Sequence, residues 1–160
     1  DGMIFALAVC DMLDRNPGKT MADLRRALPK TWGSPTMSPH CDDEKKYGVV
    51  DAVVKHFEAA KAKGDKFAGQ VIRDLVTVNG VRVTLEDGTW GLVRASSNKP
   101  ELVVVVESPA SEARMREMFK AVDGVLRTHY PEGSLRPGSW TGPSNTGLPP
   151  TSTGSAPPIM

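Results

Sequence analysis

Hydrophobic and polar positions follow different patterns before and after residue 35 of the 160-residue chain. Residues 3–13 are almost all apolar or helix-favouring, which is typical of a helix buried on most sides. A short second helix is predicted over residues 20–28, with Thr20 as its N-cap. Residues 32–35, WGSP, have the composition of a hinge or linker. The first 34 residues are therefore predicted to be a helical segment with a linker.

After this linker, strand and helix patterns alternate closely. Residues 36–41 are predicted to form an edge strand, because Pro39 cannot donate a ladder hydrogen bond and is tolerated only at an edge. Asp42 and Asp43 are predicted to cap a helix that runs to about residue 63. Its apolar face is predicted to contain Tyr47, Val50, Val54 and Phe57.

Four further strands are predicted in the middle of the chain. Residues 74–78 and 81–85 flank Asn79-Gly80, a pair that tolerates the positive φ angles of a tight hairpin turn. Residues 90–93 and 102–106 are apolar runs typical of buried strands, and the polar sequence RASSNKP connects them. A loop held at both ends by core strands is a rigid support for binding or catalytic groups.

The last predicted helix has Ser108 as its N-cap and Pro109 as its first residue. Apolar side chains follow at spacings of three and four: Met115, Met118, Phe119, Val122, Val125 and Leu126. The order β-α-β-β-β-β-α with hairpin connections predicts an α+β fold. In this fold, an antiparallel sheet of four to five strands carries two helices on one face.

The end of the chain differs in composition from the rest. Residues 130–160 are rich in Pro, Gly, Ser and Thr and have almost no apolar side chain to bury. They are predicted to be a disordered tail, with a non-native origin as an alternative to an evolved segment. Residues 35–129 are therefore the predicted folded domain, preceded by residues 1–34.

Composition limits the classes of partner. With 20 Lys and Arg against 19 Asp and Glu, nothing in the overall charge favours nucleic acid or an anionic membrane as a partner. Cys10 and Cys41 lack the spacing of metal ligands and are predicted to be reduced thiols of a cytoplasmic protein. His40, His56 and His129 are scattered and are predicted to lie on the surface or on helix faces. Any affinity for anions must therefore be local.

The polar loop carries the most distinctive candidate chemistry. Its candidate phosphate-binding residues are Arg94, Ser96, Ser97, Asn98 and Lys99. A planar guanidinium can contact two phosphate oxygens, and short hydroxyl and amide side chains can reach the third. The alternative is a solvated turn, in which Ser and Asn satisfy local backbone groups and the cations face water.

The run NGVRVTLEDGTWGLVRASSNKPELVVVVES resembles the C-terminal domain of the α-D-phosphohexomutases, the family of phosphoglucomutases and phosphomannomutases. The resemblance lies in a hairpin, in a strand WGLVRAS and in a loop of the form Arg-x-Ser-Asn-Thr-x-Pro. It extends over about residues 35–129 and implies the TATA-box-binding-protein-like fold of that domain. The helices before it resemble the end of the preceding domain and the linker.

The resemblance implies roles for individual loop residues. Arg94 and Ser96 match the family's phosphate-contacting Arg and first Ser. Ser97 stands where Asn is frequent and Asn98 where Thr is usual, and both replacements keep a hydrogen-bond donor. Lys99 departs from the family pattern towards more positive charge. The implied function is to bind the phosphate of a hexose phosphate and to close the active-site cleft together with the enzyme's other domains.

The family's chemical machinery does not occur in this sequence. The resemblance implies a phosphoserine nucleophile and Mg²⁺ held by an Asp-x-Asp-x-Asp loop, and neither motif is present in the chain. No catalytic residue, metal ligand or cofactor is therefore predicted here, and Mg²⁺ is implied only for the intact enzyme. The chain is predicted to be inactive alone.

Two other functions are compatible with the same residues. One is a stand-alone module of this fold that binds phosphate or phosphoproteins. The other is a binder of single-stranded nucleic acid, a class that needs exposed aromatic side chains on the sheet, and only Trp90 is available for that role. Trp90 is itself predicted to be a core residue, with the wall of a sugar site as the alternative. The preferred hexose phosphate and the oligomeric state are not predicted.

Overall fold

The computed structural model describes residues 2–133, which belong to two compact units that divide after Thr31. Most of the predicted disordered tail lies outside the described residues. At its start, Tyr130 is buried and Pro131–Gly133 form a 3-10 turn. No helix among residues 2–133 is long and apolar enough to cross a membrane.

The first unit contains two helices, α1 (Gly2–Asp14) and α2 (Met21–Arg26). Thr20 caps α2 as predicted, and Asp23 completes a reciprocal capping box. The apolar pattern of α1 is typical of a buried helix, but none of its residues is buried in the described chain. Four of its large apolar side chains are 66–75% exposed: Met3, Ile4, Phe5 and Leu7.

The second unit is built on one antiparallel sheet of six strands in the order β1-β6-β5-β4-β3-β2. The strands are β1 (Trp32–Gly33), β2 (Lys66–Phe67), β3 (Gln70–Val76), β4 (Val81–Leu85), β5 (Trp90–Ala95) and β6 (Leu102–Ser108). The predicted α+β fold class is confirmed, with more strands than predicted. The additional strands, β1 and β2, have two residues each, and β1 lies in the predicted linker.

Two long helices, α3 (Asp43–Lys63) and α4 (Glu112–His129), pack on one face of the sheet. Alternation along the strands directs every second side chain toward them, so Leu102, Val104 and Val106 are fully buried. The predicted bounds of α3 are confirmed, but its buried face differs from the prediction. Tyr47 is exposed, and the buried residues are Lys46, Val50, Val53 and Phe57.

Residues 36–41 do not form the predicted continuous strand. They run beside β6 and pair with it only at isolated bridges, Met37 with Val104 and His40 with Glu101. Pro39 between the bridges has no N–H to donate, which interrupts the ladder.

Helix α4 begins three residues later than predicted. Its N-cap is Ser111, whose hydroxyl accepts a hydrogen bond from the backbone N–H of Arg114. Ser108, the predicted cap, ends β6 instead, because its buried hydroxyl hydrogen-bonds to Thr89 Oγ1 at 2.8 Å.

Candidate functional site

The polar loop connects two adjacent central strands at one end of the sheet. Strands β5 and β6 pair up to Ala95 and Leu102, and Ser96 N–H then donates to Glu101 O at 2.9 Å. This hydrogen bond closes the base of the loop. The structure thus places the five candidate residues on one short, anchored segment, which we call the phosphate loop (residues 94–99) after the group that the sequence predicts it to bind.

Arg94 lies on the side of β5 that faces away from the helices. Its neighbours Val93 and Ala95 are buried beneath α3 and α4, and the side chain of Arg94 is half-buried on the opposite face. Its Nη1 donates to the carbonyl oxygen of Ala95 at 3.1 Å. This bond turns the guanidinium toward the loop.

The remaining loop residues divide into one buried and three exposed positions. Ser96 is buried and its hydroxyl donates to Asn98 Oδ1 at 3.2 Å, so this side chain shapes the loop from within. Ser97, Asn98 and Lys99 are exposed. None of the described residues accepts a hydrogen bond from the backbone N–H groups of these three residues. Exposed N–H groups, a hydroxyl, an amide and an ammonium together can bind an anion.

Sequence reasoning missed Lys46, the residue beneath the loop. Its Nζ donates to Ser96 O at 2.7 Å and to Lys99 O at 3.1 Å, and it forms an ion pair with Asp43. Residues 46, 50, 53 and 57 follow the i, i+4, i+7, i+11 spacing of one helix face, so the periodicity of α3 contained the signal.

The hairpin turn between β3 and β4 packs against the backbone that carries Arg94. The predicted hairpin at Asn79-Gly80 is confirmed, but its turn is longer than predicted, because β3 ends at Val76, which pairs with Arg82. Gly80 has φ +87°, whereas Asn79 does not have the positive φ that a tight two-residue turn would require. A Cβ atom at this position would lie 2.7 Å from Arg94 Cα and even closer to Val93 O. Glycine is therefore required both for the turn conformation and for this close approach.

Trp90 lies away from the phosphate loop, at the other end of β5. Five residues of an extended strand separate Trp90 from Ala95, about 16 Å. Its ring is half-buried, and the guanidinium of Arg82 lies 4.4 Å from the ring centroid. The predicted core position is therefore wrong, since Trp90 forms a cation–π pair on the open face of the sheet.

The histidines and cysteines do not join the loop. His56 Nδ1 and His129 Nε2 lie 3.3 Å apart between α3 and α4, and burial, together with the neighbouring His129, lowers the pKa of His56. Burial also raises the pKa of the Cys41 thiol. Within residues 2–133, no three His, Cys, Asp or Glu side chains come together as metal ligands.

Comparison with known proteins identifies the second unit. Residues 40–125 match the family model described as "Phosphoglucomutase/phosphomannomutase, C-terminal domain". A solved structure of a phosphoglucomutase/phosphomannomutase family protein from Burkholderia thailandensis superposes with a TM-score of 0.52 at 24% identity. The match covers 70% of this chain and 20% of that one, and at this identity it supports the fold alone.

Curated relatives give the same assignment. A phosphomannomutase/phosphoglucomutase of Pseudomonas putida is 30% identical over 75% of this chain and 24% of its own length. A probable phosphoglucosamine mutase of Methanothermobacter thermautotrophicus is 31% identical over 79% of the chain and 25% of its own length. A phosphopentomutase of Thermococcus kodakarensis is 35% identical over 50% of the chain and 16% of its own length.

The chain thus spans a quarter or less of the length of these relatives. The matched segment contains the complete sheet from β2 to β6, the two long helices up to Val125 and the whole phosphate loop. This chain belongs to the phosphoglucomutase/phosphomannomutase family, of which it contains the C-terminal domain.

Proposed function

We propose that this chain supplies the substrate-phosphate-binding domain of a phosphohexomutase, an enzyme that interconverts hexose 1-phosphate and hexose 6-phosphate. The observation that carries the proposal is the anchored phosphate loop, which presents Arg94 and Lys99 together with free backbone N–H groups. In an intact enzyme this domain would grip the phosphate and close the cleft over the sugar.

The names of the relatives support phosphate, rather than sugar, as the group that this domain contacts. They are mutases of mannose or glucose phosphate, of glucosamine phosphate and of pentose phosphate. Their sugars differ and the phosphate is common to all. A loop of cationic and N–H donors, with no aromatic ring within it, fits the shared group.

The phosphoryl-transfer chemistry would belong to other domains. The described residues contain no cluster of carboxylates or imidazoles that fits Mg²⁺, so we derive no catalytic step through the metal in this chain. Mg²⁺ and the nucleophile would come from the other domains of the intact enzyme, which are this domain's proposed partners. We expect the isolated chain to show no mutase turnover with Mg²⁺ and a bisphosphorylated activator.

We propose a cytoplasmic location for the protein. Cys10 and Cys41 are free thiols, and thiols stay reduced in that compartment.

Titration with inorganic phosphate, followed by backbone amide shifts, tests the proposed function. Residues 94–99 should shift selectively, with a Kd on the order of millimolar because one small loop contacts the ligand. Arg94→Ala should abolish the shifts without unfolding the domain, and Arg94→Lys should restore only part of them, since an ammonium cannot contact two oxygens at once. Added salt should weaken binding.

Arg73→Ala is the control for the loss of one arginine from the sheet. Arg73 lies on β3, outside the phosphate loop, and its removal should leave the shifts unchanged. Shifts elsewhere in the domain, or equal binding by Arg94→Ala, would leave the loop as a solvated turn.

A further inference from the structure

The ammonium of Lys46 lies beneath the phosphate loop and contacts its backbone from the protein interior. The residue is only 3% exposed, whereas the side chain of its neighbour Lys45 is 58% exposed. Lysine is almost never fully buried unless it is paired, because removing an ammonium from water is costly. The partners of Lys46 are Ser96 O, Lys99 O and the carboxylate of Asp43.

The two carbonyl contacts join both sides of the loop tip. Ser96 and Lys99 flank Ser97 and Asn98, and their oxygens point to the same cation. The Lys99 carbonyl also accepts from Glu101 N–H at 2.8 Å. The ammonium therefore holds the ends of the tip together by charge-assisted hydrogen bonds.

The contact with Ser96 also orients one of the loop's donors, the N–H of Ser97, whereas the Lys99 carbonyl belongs to the peptide bond with Pro100, which has no N–H. The described chain has no cis peptide bond, and in a trans peptide the N–H points opposite to the preceding carbonyl. Because Ser96 O points inward to Lys46, Ser97 N–H points away from the ammonium, toward the exposed side of the loop. That side is where the side chains of Ser97, Asn98 and Lys99 are exposed.

We propose that Lys46 is a positioning residue for phosphate binding: it fixes the loop backbone so that the N–H of Ser97 faces the anion. The proposal rests on the proposed function of the loop. It assigns Lys46 no contact with the ligand, since the carbonyl atoms of the loop lie between. It is distinct from a purely stabilising role, which would leave the affinity of the folded domain for phosphate unchanged.

The test compares Lys46→Met with Lys45→Met in the full chain. Both variants remove one lysine from the first turn of α3, but only Lys46 contacts the loop. Two measurements are made on each: amide exchange of Ser96 and Glu101, whose N–H groups are hydrogen-bonded at the base of the loop, without ligand, and the Kd for inorganic phosphate from amide shifts. Lys46→Met should accelerate loop exchange and weaken binding about tenfold, while Lys45→Met should change binding by less than about twofold.

Lys46→Arg completes the design and serves in place of Lys46→Met if that variant does not fold. It keeps the charge but cannot place a compact ammonium between the two carbonyls, so binding should weaken by about threefold or more. Unchanged phosphate affinity in a folded Lys46→Arg or Lys46→Met variant would overturn the proposal. Equal weakening in Lys45→Met would overturn it as well, because net charge alone would then explain the effect.

The outcome separates the two proposals. A wild-type chain that shows no phosphate shifts in residues 94–99 refutes the proposed function, and with it the binding role of Lys46. A wild-type chain that binds phosphate, with variants at position 46 that bind equally well, supports the proposed function and refutes the positioning role alone.

Discussion

Two cations, Lys46 buried and Arg114 partly buried, contact loops at opposite ends of the sheet, and they differ in how their charge is balanced. Lys46 lies in the first turn of α3 and contacts the β5–β6 loop, and Arg114 lies in the first turn of α4 and contacts the β4–β5 turn. Arg114 Nε contacts Asp87 Oδ2 at 2.7 Å, and its Nη1 donates to Ala68 O at 2.6 Å and to Glu117 Oε2 at 3.0 Å. Two carboxylates therefore balance this guanidinium.

At the phosphate loop the balance is different. Lys46 has one carboxylate, Asp43, and the loop above it adds the positive charges of Arg94 and Lys99. The same arrangement, a basic residue of a first helical turn that donates to a loop carbonyl, thus occurs once among excess carboxylates and once among excess cations. The comparison indicates that the carboxylate-rich end stabilises the domain, whereas the cationic end has charge available for an anion.

The largest expected effect is a loss of unfolding free energy in Arg114→Met without a change in phosphate affinity. Arg114→Met leaves Asp87 without its cation in a partly buried site, and we expect it to reduce the free energy of unfolding by about 3 kcal/mol. The phosphate affinity of the folded domain should not change. Urea unfolding and phosphate titration of the same sample measure both quantities.

Arg116→Met provides the matched control on the same helix. Arg116 forms an exposed ion pair with Glu112, and such pairs contribute about 0.5 kcal/mol. A loss of phosphate binding in folded Arg114→Met would contradict the proposed separation of the two ends.

A smaller effect is expected where the hairpin turn meets the loop end. Gly80→Ala places a methyl group at a φ of +87° and against the backbone of Val93 and Arg94, so we expect a loss of about 2 kcal/mol in unfolding free energy. Because Arg94 must shift, phosphate affinity should fall as well, unlike in Arg114→Met. Chemical denaturation and the amide titration check this pair of outcomes.

Gly64→Ala is the control for the cost of placing alanine at a positive φ without a steric contact. Gly64 also has positive φ, at the C-terminus of α3, but a Cβ there would meet no atom within 4 Å. Unchanged binding in Gly80→Ala would show that the turn does not support Arg94.

Local sequence signals predicted most of the elements, and contacts between distant residues decided the rest. The Asn79-Gly80 turn, the long helices and the position of the loop depend on residues close together in the chain, and they were predicted. The start of α4 was ambiguous because Ser108 and Ser111 are both acceptable caps, and Thr89, 19 residues away, decided between them.

The parts of the site that the sequence did not predict also depend on contacts between residues far apart in the chain. The contact of Lys46 with Ser96 spans 50 residues, and the edge strand β1 exists only because Trp32 pairs with Ser108. A lysine within an apolar helix face signals an unusual environment, but the sequence does not identify the carbonyl groups that it meets. The family resemblance led to the loop residues and not to the cation beneath them.

The smallest expected effect concerns the helix pair that carries both cations. His56 on α3 faces His129 on α4, and burial and the charge of His129 lower the pKa of His56. Below about pH 6.5 the unfolded chain therefore binds a proton more readily than the folded domain does, so the free energy of unfolding should fall as the pH drops from 7.5 to 5.5. His129→Gln should reduce this pH dependence, because it removes the neighbouring imidazole while His56 stays partly buried. Urea unfolding at the two pH values measures the difference, and equal pH dependence in wild type and His129→Gln would show that the imidazole pair does not couple the helices electrostatically.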